Sequence, residues 1–303
     1  MPIISLQVRG TFNHKIMINQ PQLIADYACV CGEGPLFVPD ENAIVWTDIE
    51  TGRLFRYHLA TKTHEQIYSG QRVGGFTLQS DGSLLLFQER GHVSTWKNGE
   101  SKVIIESLPD EGSRWNDVYA DPEGRVFCGT MPSNGHLGRL YRLDRDGSIR
   151  IILENIGCSN GMGFSPDLKT MYYTDTGPRH IYAFDYERAS GEVTNQRVLV
   201  KTPEGEGAPD GMRMDSEGFL WSARWGGGTV CRYNPSSGKL VERVAIPAPK
   251  VTCLCFGGED YQTAFVSTAG GDVKDQDGEH AGGLFQIDLG VRGAADFHSR
   301  ILL

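Results

Sequence analysis

Glu33, Asn116, Asn160 and Asp210 are the residues whose type and spacing first point to chemistry. With Gly75 and Thr252 they form a series of six corresponding positions, about 41 to 50 residues apart, each at the entry to a short apolar run. Any one of them, taken alone, reads as a turn residue capping the start of a strand. As a set, four of the six carry carboxylate or amide oxygens, and three sit among Gly or Pro that let backbones approach closely: Gly32-Glu33-Gly34-Pro35, Ser159-Asn160-Gly161 and Pro209-Asp210-Gly211. Carboxylates gathered away from water repel one another and lose solvation, a cost that a bound cation removes. All-oxygen sets suit Ca2+, Mg2+ or Mn2+, whereas structural zinc recruits His and Cys. The eight histidines show no H-x-x-x-H or H-E-x-x-H spacing, and none falls in the series. Ca2+ is the first expectation, with Zn2+ or Fe2+ also compatible with carboxylate and amide ligands.

Three other segments imitate catalytic motifs. Gly157-Cys158-Ser159-Asn160-Gly161 has G-x-S-x-G spacing, but that motif needs a strand, a turn and a helix, and the residues that follow read as strand, turn, strand. Gly226-Gly227-Gly228 lacks the Lys-Ser/Thr of a phosphate loop and reads as a turn. The acidic stretch 272–278 misses the ligand register of an EF-hand and reads as a solvated loop beside a channel mouth.

Residues so far apart in sequence can meet only if the elements carrying them are arranged radially. Each of six units opens with an apolar run, passes an acidic or Gly turn and enters an alternating aromatic and β-branched run. The first is Gly34-Pro35-Leu36-Phe37-Val38, then Pro39-Asp40-Glu41-Asn42, then Ala43-Ile44-Val45-Trp46-Thr47-Asp48; the fourth runs from Met162-Gly163-Phe164 to Met171-Tyr172-Tyr173-Thr174-Asp175. No stretch holds a 3.6-residue apolar period long enough for a confident helix. A period in the range of propeller blades predicts an all-β, six-bladed β-propeller with four-stranded blades, a single domain over 1–303, and the six corresponding positions on a ring around the axis. Paired β-sandwiches would also space strands regularly, but not repeat one turn six times.

Composition narrows the function classes. The 303 residues include 38 glycines, with 39% hydrophobic and 22% charged residues, as in a folded and turn-rich chain. Scattered among 38 acidic residues, the 29 basic ones leave a net charge of -9, which disfavours nucleic acid. The longest apolar runs, such as Leu84-Leu85-Leu86-Phe87, fall far short of a membrane helix. Met1-Pro2-Ile3-Ile4-Ser5-Leu6 lacks a leader's basic and apolar pattern, so the expectation is a soluble, cytoplasmic protein with no membrane or protein partner. Seven cysteines, with Cys29-x-Cys31 and Cys253-x-Cys255 lacking the gap of a zinc knuckle, read as buried free thiols.

At these residues the chain resembles the SMP-30/gluconolactonase/luciferin-regenerating-enzyme family, from about residue 24 to about 290. The resemblance is carried by Gly32-Glu33-Gly34-Pro35, Arg114-Trp115-Asn116-Asp117 with Gly129-Thr130-Met131, Ser159-Asn160-Gly161-Met162, Asp185-Tyr186, Pro209-Asp210-Gly211-Met212, Glu217-Gly218-Phe219-Leu220-Trp221 and Cys255-Phe256-Gly257-Gly258. It implies a six-bladed propeller holding one divalent metal through Glu33, Asn160 and Asp210, with Arg114 and Asn116 meeting a sugar-lactone substrate. Phe37 stands where the family often has Trp, and Asn134 where animal members carry a Glu that touches sugar hydroxyls. The activity implied is hydrolysis of an aldonolactone of the gluconolactone, xylonolactone or arabinonolactone type. The cation would polarise the carbonyl, and Asp210 or the cation itself would activate water. Arg114 and Asn116 would orient the lactone oxygens, and Trp115 and Trp225 would line the mouth or the blade core. A non-enzymatic calcium-binding or interaction propeller is the alternative.

Overall fold

A computed structural model of the chain describes residues 20–109, 112–133 and 135–303. Asn134 and the Met1–Leu6 segment lie outside the described residues. The strands form six four-stranded antiparallel sheets, the blades of a β-propeller. Their innermost strands are Gly32–Val38, Gly75–Leu78, Trp115–Ala120, Ser159–Phe164, Ala208–Met214 and Val251–Gly257, which pack side by side around the axis. The last packs back against the first, closing the ring.

Burial grades outward across a blade, and the sequence pattern follows it. In the first blade Ala43–Asp48 is buried along its whole length, Arg53–His58 alternates, and Thr63–Ser69 is mostly exposed. A strand covered on both faces reads as a continuous apolar run, and one with a solvated face alternates. The cores lie between neighbouring blades: Leu36, Val45 and Leu54 of the first pack against Phe76, Leu86 and Trp96 of the second. The repeating turn has a common cause in blades two to five, where a carboxylate accepts backbone N–H groups just beyond it. Asp121 Oδ1 takes those of Glu123 and Arg125, and Asp215 Oδ1 those of Glu217 and Phe219. Asp81 and Asp167 do the same at Ser83 and Lys169.

Two features were not legible in the repeat. The sixth blade takes its outermost strand from the other end of the chain, with Gln22–Asp26 pairing antiparallel to Gly283–Asp288. Beyond Asp288 the chain then crosses one face of the propeller, bridging Gly293 to Asp215 and Ser299 to Gln79, and buries Ile301 against Leu85, Phe87 and Val126. The acidic stretch expected as a loop forms a single helical turn, Lys274–Asp277, tied down by Lys250–Asp277 and Lys274–Asp26 ion pairs. Among the described residues no helix is long and apolar enough to cross a membrane.

Candidate active site and metal centre

The ring positions fall at the first, second or third residue of each inner strand rather than before it. In five of the six blades the inner strand carries one extra residue against its neighbour there: between Glu33 and Leu36, Trp115 and Val118, Asn160 and Met162, Pro209 and Met212, and Val251 and Cys253. Such a bulge breaks the strict in-and-out alternation of a strand and re-aims a side chain. It brings Glu33, Asn116, Asn160 and Asp210 into one cavity of about 220 Å³ on the axis. Glycine is required beside them. A Cβ on Gly161 would sit 2.5 Å from Met212 N and 2.8 Å from Asp210 O, so inner strands four and five could not approach.

The other two ring positions hold structure together. Gly75 lies against the backbone of Asn116, where a Cβ would come within 2.7 Å of its carbonyl oxygen. Buried Thr252 shares a hydrogen bond with Ser267 and donates to Gly32 O.

A chain of hydrogen bonds orients the polar groups. Arg114 Nη1 donates to Asn116 Oδ1 at 2.6 Å, and Asn116 Nδ2 donates to Asn160 Oδ1 at 2.9 Å and to Ser159 O at 2.7 Å. Asn160 Nδ2 donates to Thr176 Oγ1 at 2.7 Å, whose hydroxyl donates to Pro209 O beside Asp210. These bonds fix the Asn160 amide, whose nitrogen donates to Thr176 and whose oxygen accepts from Asn116 and keeps a second lone pair that could serve a cation. The turn leading into the strand of Asn160 is pinned by Asp175, which accepts the N–H groups of Gly157, Cys158 and Gly177.

The electrostatics are those of an acidic cage short of positive charge. Glu33 is 5% exposed, Asp210 5% and Asp117 8%, so three carboxylates share one desolvated region. Burial, then the charges of Asp117 and Asp210, push the Glu33 carboxyl well above its usual range. Burial, then Asp117, do the same to Asp210, while burial lifts Asp117 to about 6 against the pull of Arg213 and Arg114. Asp117 Oδ2 is buried without a hydrogen-bond partner. Two buried carboxylates and an amide oxygen lining one cavity, with an orphaned Asp117 oxygen nearby, are donors of the type a hard divalent cation takes.

Asp117, Thr176 and Asp175 were not singled out from the sequence. Asp117 stands next to Asn116, and on a regular strand it would face away from it; the bulge cancels that inference. The two tryptophans part company. Trp115 is fully buried, its Nε1 donating to His92 O, and is blade core, whereas Trp225 is 38% exposed and lines the cavity. All seven cysteines are free; five are buried, but Cys31 and Cys158 are half-buried and line the cavity, where burial and then nearby acids raise both thiols, Cys158 to about 12. Ser159 begins a strand and no helix follows it, so it makes no nucleophile elbow. A broader groove of about 660 Å³, with Arg90, His136 and Arg139 on its walls, adjoins the cavity at Met131.

Residues 31–270 match the family described as the SMP-30/gluconolactonase/LRE-like region. The chain belongs to this family. It is 42% identical over 287 residues to pentonolactonase XacC of Haloferax volcanii, covering 92% of this chain and 98% of the relative. To human regucalcin it is 34% identical over 284 residues, covering 89% and 94%. A crystal structure of regucalcin from Agrobacterium tumefaciens, described as a calcium-binding protein, superposes with a TM-score of 0.84 at 25% identity, covering 94% of this chain and 98% of the other.

Proposed function

We propose that this propeller is a divalent-metal-dependent sugar lactonase, opening an aldonolactone of the pentono- or hexonolactone type to its aldonic acid. The observation that carries the reading is the convergence of Glu33, Asn160 and Asp210 in a cavity that Arg114 and Asn116 also line, with the buried Asp117 carboxylate close enough to act on Glu33 and Asp210. A pentonolactonase at 42% identity over nearly the whole chain supports a lactone as the substrate class.

Glu33, Asn160 and Asp210 would hold the cation, with Ca2+ the first choice for an all-oxygen set and Mn2+, Mg2+, Zn2+ or Fe2+ as competitors. When bound, it supplies Lewis acidity at the lactone carbonyl. Asp210 is the general base: its carboxylate accepts a proton from the attacking water as the water oxygen adds to the carbonyl carbon. That proton then passes to the ring oxygen as the ester C–O bond breaks, leaving a carboxylic acid and a free hydroxyl. Arg114 presents a planar fork of donors and Asn116 an amide, and their mutual hydrogen bond keeps both aimed at the substrate oxygens. Asn134 is the further residue proposed to meet the sugar hydroxyls. Trp225 offers an aromatic face at the mouth for the apolar face of the ring.

The test is a pH-stat assay of gluconolactone, xylonolactone and arabinonolactone on metal-stripped protein, repeated with each cation restored. Hydrolysis that appears only with a cation and disappears in Asp210→Ala supports the reading. Metal binding with no turnover across the panel would assign the protein instead to the non-enzymatic alternative.

A further inference from the structure

Beyond the cavity lies a basic groove to which the mechanism gives no role. Three hollows run together there. The cavity shares Arg114 and Met131 with a basin of about 490 Å³, and that basin shares Arg90, Met131 and Ser133 with the groove of about 660 Å³. Backbone contacts tie the outer residues to the inner ones. Arg90 N donates to Ser113 O at 2.8 Å, one residue before Arg114, and Arg139 N donates to Thr130 Oγ1 at 3.0 Å, one residue before Met131.

Charge changes sign along this path. Glu33 and Asp210 stand in the cavity. In the basin Arg72 lies between Glu50 and Glu89 at 3.4 and 3.6 Å, and Arg114 has Glu50 at 4.0 Å, so the two signs are near balance. The described residues lining the outer groove include Arg90, His136 and Arg139 and no carboxylate, in a chain of net charge -9. Arg139 has the exposed Glu154 at 3.7 Å, but among the described residues no carboxylate pairs with Arg90. A concave surface of one sign focuses its field on a ligand of the other.

Arg90 is also not the residue its backbone favours. It is the first central residue of the hairpin turn 89–92, closed by His92 N to Glu89 O at 2.9 Å, with φ of 54° at Arg90 and 79° at Gly91. Turns with positive φ at both central residues favour Asn, Asp or Gly at the first, because a larger side chain crowds the backbone there. An arginine in this place weakens the turn and sets a guanidinium on the groove wall.

We propose that the groove is a second substrate subsite, taking an anionic group, carboxylate or phosphate, at the end of the sugar lactone remote from its carbonyl. Arg90 is its main contact, with His136 and Arg139 beside it. This rests on the lactonase reading above and narrows its substrate class to lactones that carry a second acid group. The lactone carbonyl lies in the cavity near Arg114, the carbon chain passes Met131, and the planar guanidinium of Arg90 donates two hydrogen bonds to the terminal anion.

The experiment measures hydrolysis by the metal-replete full-length chain of two matched pairs: δ-gluconolactone against its terminal phosphate ester, and γ-gluconolactone against γ-glucarolactone, its terminal-carboxylate counterpart. Wild type is expected to favour at least one anionic member over its neutral partner by about tenfold or more in kcat/KM, the size of effect a charge-assisted hydrogen bond supplies, and the pair that shows it names the acid group. Arg90→Asn, which the turn accommodates, is expected to lose about tenfold on that anionic lactone, mostly in KM, and to stay within about twofold on the neutral one. Arg90→Lys should fall between Arg90→Asn and wild type, since it keeps the charge and loses the fork. His136→Gln/Arg139→Gln, away from the turn, should lower the anionic preference by about threefold or more. No anionic preference in wild type, or a preference unchanged in Arg90→Asn, overturns the inference. Equal loss on both members of a pair does so too, because a residue that only shapes the turn would slow both. A chain that opens none of the four lactones with any cation removes the lactonase reading and this inference together, whereas turnover of the neutral members without anionic preference removes the inference alone.

Discussion

In the proposed mechanism Asp210 would serve two demands that pull against each other, helping to hold a cation and accepting a proton, while it is buried near the carboxylates of Glu33 and Asp117. In the metal-free protein that arrangement is destabilising. Asp210→Asn should therefore lose at least about a thousandfold in lactone turnover, yet melt at the same or a higher temperature than wild type when both are metal-free, as measured by calorimetry with a chelator present. The pH dependence has a definite sign. Glu33, Asp117 and Asp210 all bind protons more tightly folded than unfolded, so their contribution to metal-free stability is present below about pH 4 and lost as pH rises through about 6 and beyond. The same protons compete with a cation, so the rise in melting temperature on adding Ca2+ should be larger at pH 8 than at pH 5; the reverse order would mean the carboxylates do not hold it. Arg114→Ala should lower kcat/KM by about a hundredfold and leave most of the bound metal in place, because its bond to Asn116 supports Asn160 only at second hand. Elemental analysis beside the rate assay separates the two effects.

At the scale of the element, the inner strand decides whether the site exists. Period-two alternation located these strands well, because apolar runs bounded by Asp and Gly turns leave few alternatives, and it placed the oxygen-bearing residues at equivalent points. It could not show that each site-bearing inner strand carries an extra residue, since a bulge is written in hydrogen-bond register and not in residue type. For that reason Asp117 was passed over beside Asn116. Gly161 tests the strand packing. Its missing side chain lets Met212 and the Asp210 carbonyl approach, so Gly161→Ala should cost metal affinity about tenfold or more with a modest loss of stability, read by calorimetric titration and thermal unfolding. Wild-type affinity in that variant would show that the strands can part without moving Asp210.

For the molecule as a whole, closure of the ring matters most, since four distant stretches of chain share one cavity only while the blades stay in register. The sixth blade is completed by Gln22–Asp26, so that one sheet binds the two ends of the chain together. Removing residues 1–26 should expose the edge of Gly283–Asp288 and lower the melting temperature by about 5 °C or more, with weaker metal binding following from the loosened ring. An unchanged melting curve would mean the blade is held by its neighbours alone. The propeller, its blade number and the corresponding positions of Glu33, Asn116, Asn160 and Asp210 could be read from the chain by itself, because repetition and hydrophobic alternation are local and survive in a linear string. Glu33, Asn160 and Asp210 as a ligand set came instead from the family resemblance. Only the folded protein decided that Thr252 is structural, that Trp115 is core while Trp225 faces the cavity, that Asp117 joins the carboxylates, and that Asp296 reaches Arg213 from outside the repeat. Each of these turns on where a side chain points after a bulge or a chain crossing, and the direction of a side chain is set by contacts among residues far apart in sequence.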